Sequence, residues 1–312
     1  MPMLSERRWR EQAEKRLALL KARIAIVARA RAPQRWVFGH ASDRVWFDAN
    51  AAGYRRYPSF RRLLPGFPEE ETQRGFVGAA GDHALREAFD AYTSWRDACA
   101  RHGLPLGRDS RVLDFGCGWG RLLRLFLREV APENLLGVDV LDQAIELCRQ
   151  INPWCRFERI EPLPPIALSD QSFDLIYLFS VFSHLSEDAH AAWLAEFHRL
   201  LRPGGLLIAT TRPRAFIEWC AAVRQGTRTP THVELLRTFV ETQAWLARYD
   251  RGEFCHDSVG GGEVLSSSFY GETCIPEAYV RRRWTAWFEI SNYVEASSDG
   301  IWQDVIVARR PR

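Results

Sequence analysis

The stretch VLDFGCGWGR, residues 112–121, carries three glycines at alternate positions directly after a short apolar run. Glycine has no Cβ, so it accepts positive φ angles and lets a ligand approach the backbone closely. A chain that leaves a strand here and enters a helix offers free N–H groups and the positive end of the helix dipole. The stretch therefore predicts a strand, a tight turn and a helix around a bound ligand. A purely structural turn is the alternative.

The chain beyond residue 110 alternates between strand and helix patterns. The predicted strands are 111–115, 134–140, 155–160, 173–179 and 205–211, and the predicted helices are 121–130, 142–152 and 189–201. Such alternation builds a parallel sheet with helices on both faces. Ligands in these sheets bind beyond the carboxyl ends of the strands, where the strand order reverses. We therefore expect an α/β fold with a doubly wound sheet.

Residues 212–275 interrupt this alternation. Helical patterns near 214–224 and 231–248 precede a Gly/Ser-rich stretch, VGGGEVLSSSFYGE. An insertion at the ligand-facing edge of a sheet is typical of a lid or a substrate pocket. After a helix at 277–284, residues 286–309 predict two strands joined by a turn around 298–300, which forms an antiparallel hairpin.

The N-terminal part divides into two segments. Residues 1–35 predict a basic amphipathic helix over 4–31, and residues 36–107 a covering segment of short helices that ends in a longer helix. The main domain then spans 108–312. The basic helix packs on its own domain or on a second subunit in a homodimer. Contact with an anionic membrane surface is the alternative, because basic amphipathic helices lie in that interface.

Composition narrows the class of protein. The 312 residues carry a net charge of +3, but residues 1–35 alone carry +7, which leaves −4 for the rest. A body of this charge argues against a nucleic-acid partner. Only two of the 42 basic residues are lysines, a bias typical of GC-rich bacterial genomes.

The seven cysteines include no C-x-x-C pair, so we expect reduced thiols, a cytoplasmic protein and no metal site.

Several motifs together resemble the class I S-adenosylmethionine-dependent methyltransferases. The glycine spacing is G-x-G-x-G rather than the G-x-G-x-x-G favoured for pyrophosphate. Asp114 precedes the glycines, and Asp139 ends the second predicted strand. The segment FDLIYLFSVFSHLSEDAHAAWLAEFHRLLRPGGLLIATT, residues 173–211, is similar to the family's fourth strand, helix and fifth strand, with the characteristic Pro-Gly-Gly turn. The terminal hairpin also matches. The resemblance implies a seven-stranded, Rossmann-like sheet.

The resemblance also implies a cofactor, S-adenosylmethionine, and the residues that hold it. These are Asp114, Gly116, Gly118, Gly120, Asp139, Val140, Ile160, Glu161, Phe179 and Ser180. Asp114 and the three glycines would wrap the methionyl and ribose parts of the cofactor. Asp139 would hold the ribose, and Val140 would lie against the adenine, whose edge Ile160 and Glu161 would meet. Phe179 and Ser180 would line the passage to the methyl group.

Methyl transfer to a hydroxyl needs a base, most often a histidine or a carboxylate. His184 follows the fourth predicted strand, and His256 and Tyr270 come from the insertion, so these three are the catalytic candidates. We expect a small-molecule acceptor, such as a carbohydrate, lipid-linked or natural-product hydroxyl. The alternatives are a protein or nucleic-acid acceptor, a nicotinamide-dependent oxidoreductase and a non-catalytic scaffold. Contact of 4–31 with lipid would put the protein at the inner membrane surface.

Overall fold

The computed structural model describes residues 33–229, 233–261, 265–297 and 301–312. The amphipathic helix predicted over 4–31 and the turn predicted around 298–300 lie outside these residues. None of the helices in the described ranges is both long enough and apolar enough to cross a bilayer.

The strands of the described chain belong to one large and one small sheet. They are β1 (Val112–Phe115), β2 (Leu135–Asp139), β3 (Arg156–Arg159), β4 (Phe173–Leu178), β5 (Leu201–Thr211), β6 (Cys255–Asp257), β7 (Glu272–Cys274), β8 (Glu289–Val294) and β9 (Asp304–Arg309). The large sheet has seven strands in the order β3-β2-β1-β4-β5-β9-β8, and β6 and β7 pair separately.

The large sheet is parallel except at one edge. β1 pairs in parallel with β2 and β4, and the pairs β2–β3 and β4–β5 are also parallel. β9 lies antiparallel between β5 and β8, as the hairpin prediction requires. Every residue of β1, β2 and β4 is buried, which explains why their sequences read as apolar runs rather than as alternating patterns. The predicted fold class is confirmed.

Helices cover both faces of the sheet and one end of it. They are α1 (Pro33–Phe38), α2 (Asp43–Asp48), α3 (Tyr54–Arg56), α4 (Pro58–Arg61), α5 (Glu70–Val77), α6 (Gly81–Arg101), α7 (Asp142–Ile151), α8 (Glu187–Leu200), α9 (Arg214–Arg224), α10 (Thr242–Asp250) and α11 (Glu277–Arg283). Strand order reverses between β1 and β4, so the crevice for a ligand lies where these two strands end.

The segment after the glycines departs from the prediction. The sequence predicts an α-helix over 121–130, and the structure has a 3₁₀ helix over Leu123–Arg128. All six of its residues are buried, including two arginines. A surface α-helix keeps one solvated face, and this segment has none because it lies between the sheet and the N-terminal helices. The helix dipole expected behind the glycines is correspondingly short.

The insertion is also less helical than predicted. In place of one helix over 231–248, the structure has a 3₁₀ helix, Val233–Arg237, followed by α10. Phe239 interrupts them with a φ of +51°, a left-handed conformation that cannot continue a helix. The Asp257 carboxylate accepts a hydrogen bond from the Phe239 N–H at 2.6 Å and so holds this break. The hairpin of β6 and β7 was not predicted, because three-residue strands carry too little periodicity.

A buried arginine joins the N-terminal helices to the sheet. Arg124 is 1% exposed, and its guanidinium donates to the carbonyls of Pro65 and Gly66 and to Asn50 Oδ1. The same group lies over the Phe67 ring, 3.9 Å from its centroid. Burial lowers the pKa of Arg124 to about 9, so it remains charged at neutral pH. This one side chain therefore satisfies several buried carbonyls of the covering segment.

Replacing this arginine should destabilise the fold. We expect Arg124→Met to lower the free energy of unfolding by about 2–4 kcal/mol, because buried acceptors lose their donor while the apolar stem is kept. Urea denaturation followed by circular dichroism measures the change. Arg44→Met is the matched control, since the Arg44 side chain is 91% exposed and should shift stability by less than about 0.5 kcal/mol. Equal stability of both variants would refute the anchoring role of Arg124.

Candidate functional site

The glycine loop after β1 has the backbone that only glycine adopts readily. Gly116, Gly118 and Gly120 have φ angles of +74°, +53° and +72°. A Cβ at position 116 would lie 2.4 Å from Cγ2 of Val181, far inside van der Waals contact. The spacing of the three glycines is thus explained by a left-handed bend at every second residue.

Asp139 ties this loop to the neighbouring strand. Its Oδ2 accepts a hydrogen bond from the Gly118 N–H at 2.9 Å, and its Oδ1 accepts one from the Leu141 N–H at 3.0 Å. The Val138 carbonyl accepts from the N–H groups of Gly116 and Cys117. Burial raises the pKa of Asp139, and the N–H donors of Leu141 and Gly118 oppose that rise. The carboxylate therefore orients both the loop and the start of the turn after β2.

A cavity of about 900 Å³ opens beside this loop. The predicted residues that line it are Asp114, Gly116, Gly118, Asp139, Val140, Ile160, Phe179, Ser180, His184 and Tyr270. They come from the ends of β1, β2, β3 and β4 and from the insertion. The fold thus brings most of the predicted cofactor residues and two of the catalytic candidates to one space.

Three predicted residues lie elsewhere. Gly120 faces α7, since a Cβ there would be 3.3 Å from the Cys148 sulfur. Glu161 is exposed and its carboxylate pairs with Arg159 beside it. His256 lies behind the wall, where its Nδ1 is 2.8 Å from Thr273 Oγ1. None of the three lines the cavity.

Asp114 is a buried acid at the base of the cavity. It is 3% exposed, and burial raises its pKa to about 7. The Tyr177 hydroxyl opposes the rise, the Asp139 charge adds to it, and Arg121 again opposes it. Among the described residues, its Oδ2 has no hydrogen-bond partner within normal distance. An unsatisfied buried carboxyl oxygen beside the glycine loop fits a cationic or hydrogen-bonding ligand group.

Ser180 is held in a strained conformation at the end of β4. Its φ is +62°, which is uncommon for any residue other than glycine. Its N–H donates to Thr210 Oγ1 at 2.8 Å, and its hydroxyl accepts from Gln303 Nε2 at 2.9 Å. Thr210 in turn donates to Gln303 Oε1. Both partners are fully buried on β5 and just before β9, so tertiary contacts impose this backbone.

His184 is oriented by the insertion. Its Nδ1 lies 2.9 Å from the Gly271 carbonyl oxygen, and because a carbonyl can only accept, Nδ1 carries the hydrogen. In the neutral ring Nε2 is then the nitrogen that can take a proton. The ring stacks on Tyr270, with 5.0 Å between centroids and 7° between planes. Glu272 Oε1 lies 3.6 Å from Nδ1, and Oε2 of the same carboxylate accepts from Arg212 Nε at 3.0 Å.

The other half of the wall was not predicted. It is formed by residues 74–79 within the covering segment, by Arg212, Phe216 and Trp219 at the start of the insertion, and by Trp302 beside β9. These residues are spread along the chain and share no motif. Phe216 and Trp219 lie three residues apart on α9, and that helical spacing was the one available signal of a common face.

The left-handed bend can be tested by adding a single methyl group. Gly116→Ala should lower the free energy of unfolding by at least about 1–2 kcal/mol, because φ is positive there and the new Cβ meets Val181. It should also abolish stabilisation by S-adenosylhomocysteine in a thermal unfolding assay. The double variant Gly116→Ala/Val181→Ala should regain part of the stability. Gly107→Ala is the control, since nothing lies within 4 Å of a Cβ there; an equal loss in this variant would refute the argument.

The raised pKa of Asp114 predicts a pH-dependent stability. The folded protein holds this proton up to about pH 7, whereas the unfolded chain releases it near its ordinary value of 3.8. The stabilising contribution is therefore present at low pH and is lost as the pH rises toward and through 7. We expect Asp114→Asn to gain stability relative to the original protein between pH 5 and 8, as measured by urea denaturation. A difference between the two proteins that stays constant from pH 5 to 8 would contradict the shift.

Comparisons with known proteins agree with this geometry. Residues 112–205 match the family model described as a methyltransferase domain. The chain is 31% identical over 164 residues to the biotin biosynthesis bifunctional protein BioCD of Bordetella avium, covering 50% of this chain and 34% of that protein. It is 32% identical over 139 residues to trans-aconitate 2-methyltransferase of Azoarcus sp., covering 43% of this chain and 50% of that protein. The chain thus spans half or less of these relatives.

Solved structures match the chain at lower sequence identity. An S-adenosylmethionine-dependent methyltransferase from Mesorhizobium loti is 21% identical, with a TM-score of 0.43, and the match covers 68% of this chain and 96% of that one. The family assignment therefore rests on the domain match and on the sequence relatives, together with the strand order and the glycine loop. Over residues 112–205 the chain therefore carries a methyltransferase domain with the strand order and glycine loop of the class I S-adenosylmethionine-dependent family.

Proposed function

We propose that this protein methylates a hydroxyl oxygen of a small-molecule acceptor, with His184 as the general base. One observation carries the proposal: His184 lies in the same cavity wall as the glycine loop, and the Gly271 carbonyl keeps its proton on Nδ1. A histidine whose Nδ1 carries the hydrogen, placed beside a methyl-donor site, suits oxygen as the acceptor atom, because a hydroxyl must lose its proton during transfer.

The cofactor half of the cavity suits S-adenosylmethionine. Asp139 stands at the end of β2, where its carboxylate can accept from ribose hydroxyls. Val140 and Ile160 offer apolar surface for the adenine, and the bare backbone of Gly116 and Gly118 leaves room for the methionyl part. When bound, the cofactor supplies a methyl group on a positively charged sulfur, which is already a good electrophile.

The acceptor half has walls on two sides. Residues 74–79 approach from the N-terminal side, and the insertion supplies the opposite wall. A cavity of about 900 Å³ has the size of a site for small ligands. Walls on two sides can hold the acceptor atom in line behind the methyl group, and such positioning supplies much of the rate enhancement in a displacement of this kind. The size of the cavity favours a small molecule over a protein or nucleic acid.

Within this site, His184 Nε2 would accept the proton that the acceptor hydroxyl loses on methyl transfer. The resulting imidazolium is stabilised by the Glu272 carboxylate, whose Oε1 lies 3.6 Å from Nδ1. Burial raises the pKa of Tyr270 further above its ordinary value, so its hydroxyl stays protonated and its ring serves to orient His184. Burial lowers the pKa of His256, which lies outside the wall.

The names of relatives agree with a small acceptor. Trans-aconitate 2-methyltransferase of Azoarcus sp. is named for a small organic molecule. Another match is named as a phthiotriol and phenolphthiotriol dimycocerosates methyltransferase of Mycobacterium ulcerans. Neither name is that of a protein or a nucleic acid, which supports an acceptor outside these two classes.

Labelling of a small-molecule extract tests the proposal. The protein is incubated with S-adenosylmethionine that carries a trideuterated methyl group, together with a protein-free cell extract, and products are found by mass spectrometry. We expect a labelled small molecule whose label is carried on oxygen. Label that appears only on added protein or nucleic acid, or only on nitrogen or carbon, would refute the proposal.

His184 can be tested separately from cofactor binding. We expect His184→Asn to lower kcat by about 10²- to 10⁴-fold, the usual contribution of a general base. The thermal shift with S-adenosylhomocysteine should stay unchanged, because the glycine loop is intact. His40→Asn is the matched control, since His40 is exposed and outside the cavity. Loss of kcat without any change in its pH profile would mean that His184 acts only through the shape of the wall.

A further inference from the structure

Arg212 occupies an unusual environment at the end of β5. The residue is 9% exposed and lines the acceptor half of the cavity. Its guanidinium carbon lies 4.2 Å from the centroid of the Phe216 ring and 4.9 Å from that of Trp302. Cation–π contacts with aromatic rings hold a guanidinium in one orientation. The group is therefore preorganised before any acceptor enters.

The hydrogen bonding of Arg212 leaves one edge for a ligand. Nε donates to Glu272 Oε2 at 3.0 Å. Within the described ranges of the chain, Nη1 and Nη2 make no hydrogen bond, and the residue lines the cavity. Two parallel N–H groups on a planar fork match the two oxygens of a carboxylate. Burying a guanidinium edge without such a partner would be costly.

We propose that Arg212 binds a carboxylate on the acceptor, and that the acceptor's planar, aromatic or conjugated part stacks on the surrounding rings. The acceptor class is thus an aromatic or conjugated hydroxy acid. The stacking surface consists of Phe216, Trp219 and Trp302, of which the first two are themselves parallel to within 16°. The proposal rests on the proposed function for the methyl transfer itself.

A carboxylate fits this place better than a phosphate group. Arg212 carries a single positive charge, part of which Glu272 already balances. The rings beside it, Phe216, Trp219 and Trp302, are neutral, so they would not balance the second negative charge of a phosphate. When His184 takes the acceptor's proton, the group formed by His184, Glu272 and Arg212 carries one net positive charge. That charge matches one carboxylate.

Thermal unfolding with matched probes tests the proposal. The protein is first saturated with S-adenosylhomocysteine, and then benzoate, 1-naphthoate or indole-3-carboxylate is added, or the corresponding carboxamide. We expect at least one carboxylate to raise the melting temperature while its carboxamide does not. If every carboxylate fails, or if acid and amide act equally, the proposal is wrong. Absence of any shift with S-adenosylhomocysteine alone would instead count against the proposed function.

Variants assign the effect to Arg212. Arg212→Gln should raise the Kd of the best carboxylate about tenfold or more, as expected for loss of a charged hydrogen-bond pair. Since this change leaves Glu272 without its partner arginine, the double variant Arg212→Gln/Glu272→Gln guards against misfolding, and an unchanged shift with S-adenosylhomocysteine reports an intact fold. Arg74→Gln is the matched control, because Arg74 also lines the cavity but pairs with Glu70 at the surface. Equal carboxylate affinity in the double variant and the original protein overturns the proposal.

Discussion

The hydrogen bonds of the Asp139 carboxylate to the N–H groups of Gly118 and Leu141 are the contacts on which this site depends. They fix the glycine bend against the neighbouring strand, so the backbone of β1 and that of β2 share one rigid corner. The positive φ angles at alternate residues make that corner possible. Since a Cβ at position 116 would meet Val181, the space in front of the loop exists because no side chain enters it.

Several buried charged side chains lie near the glycine loop, and each has its own role. Arg124 is surrounded by carbonyl and amide acceptors and an aromatic ring, and it joins the covering segment to the sheet. Asp114 is held near the glycine loop with a pKa that burial raises, at a cost in stability. Arg212 and Glu272 form a buried pair that faces the cavity. The first charge serves the fold, and the others serve the site.

The acceptor half is built from parts of the chain that are far apart in sequence. The loop after β4 and the strand β7 are tied by hydrogen bonds between the backbones of Ser183 and Thr273 and of His184 and Gly271. These contacts bring the stacked pair of His184 and Tyr270 opposite the cofactor loop. On the other side, Gln303 holds Ser180 and thereby sets Trp302 beside Arg212. The short backbone ladder between these two segments and the buried amide of Gln303 thus shape the cavity.

The sequence by itself determined the layered α/β fold, the glycine corner and the acid at the end of β2. Their signals are local: buried parallel strands read as apolar runs, and a left-handed bend demands glycine. Only the tertiary structure decided that 123–128 is a 3₁₀ helix, that Glu161 and His256 lie off the wall, and that Arg212 meets Phe216 and Trp302. Those outcomes depend on burial from every side and on contacts across the chain, which no local pattern records.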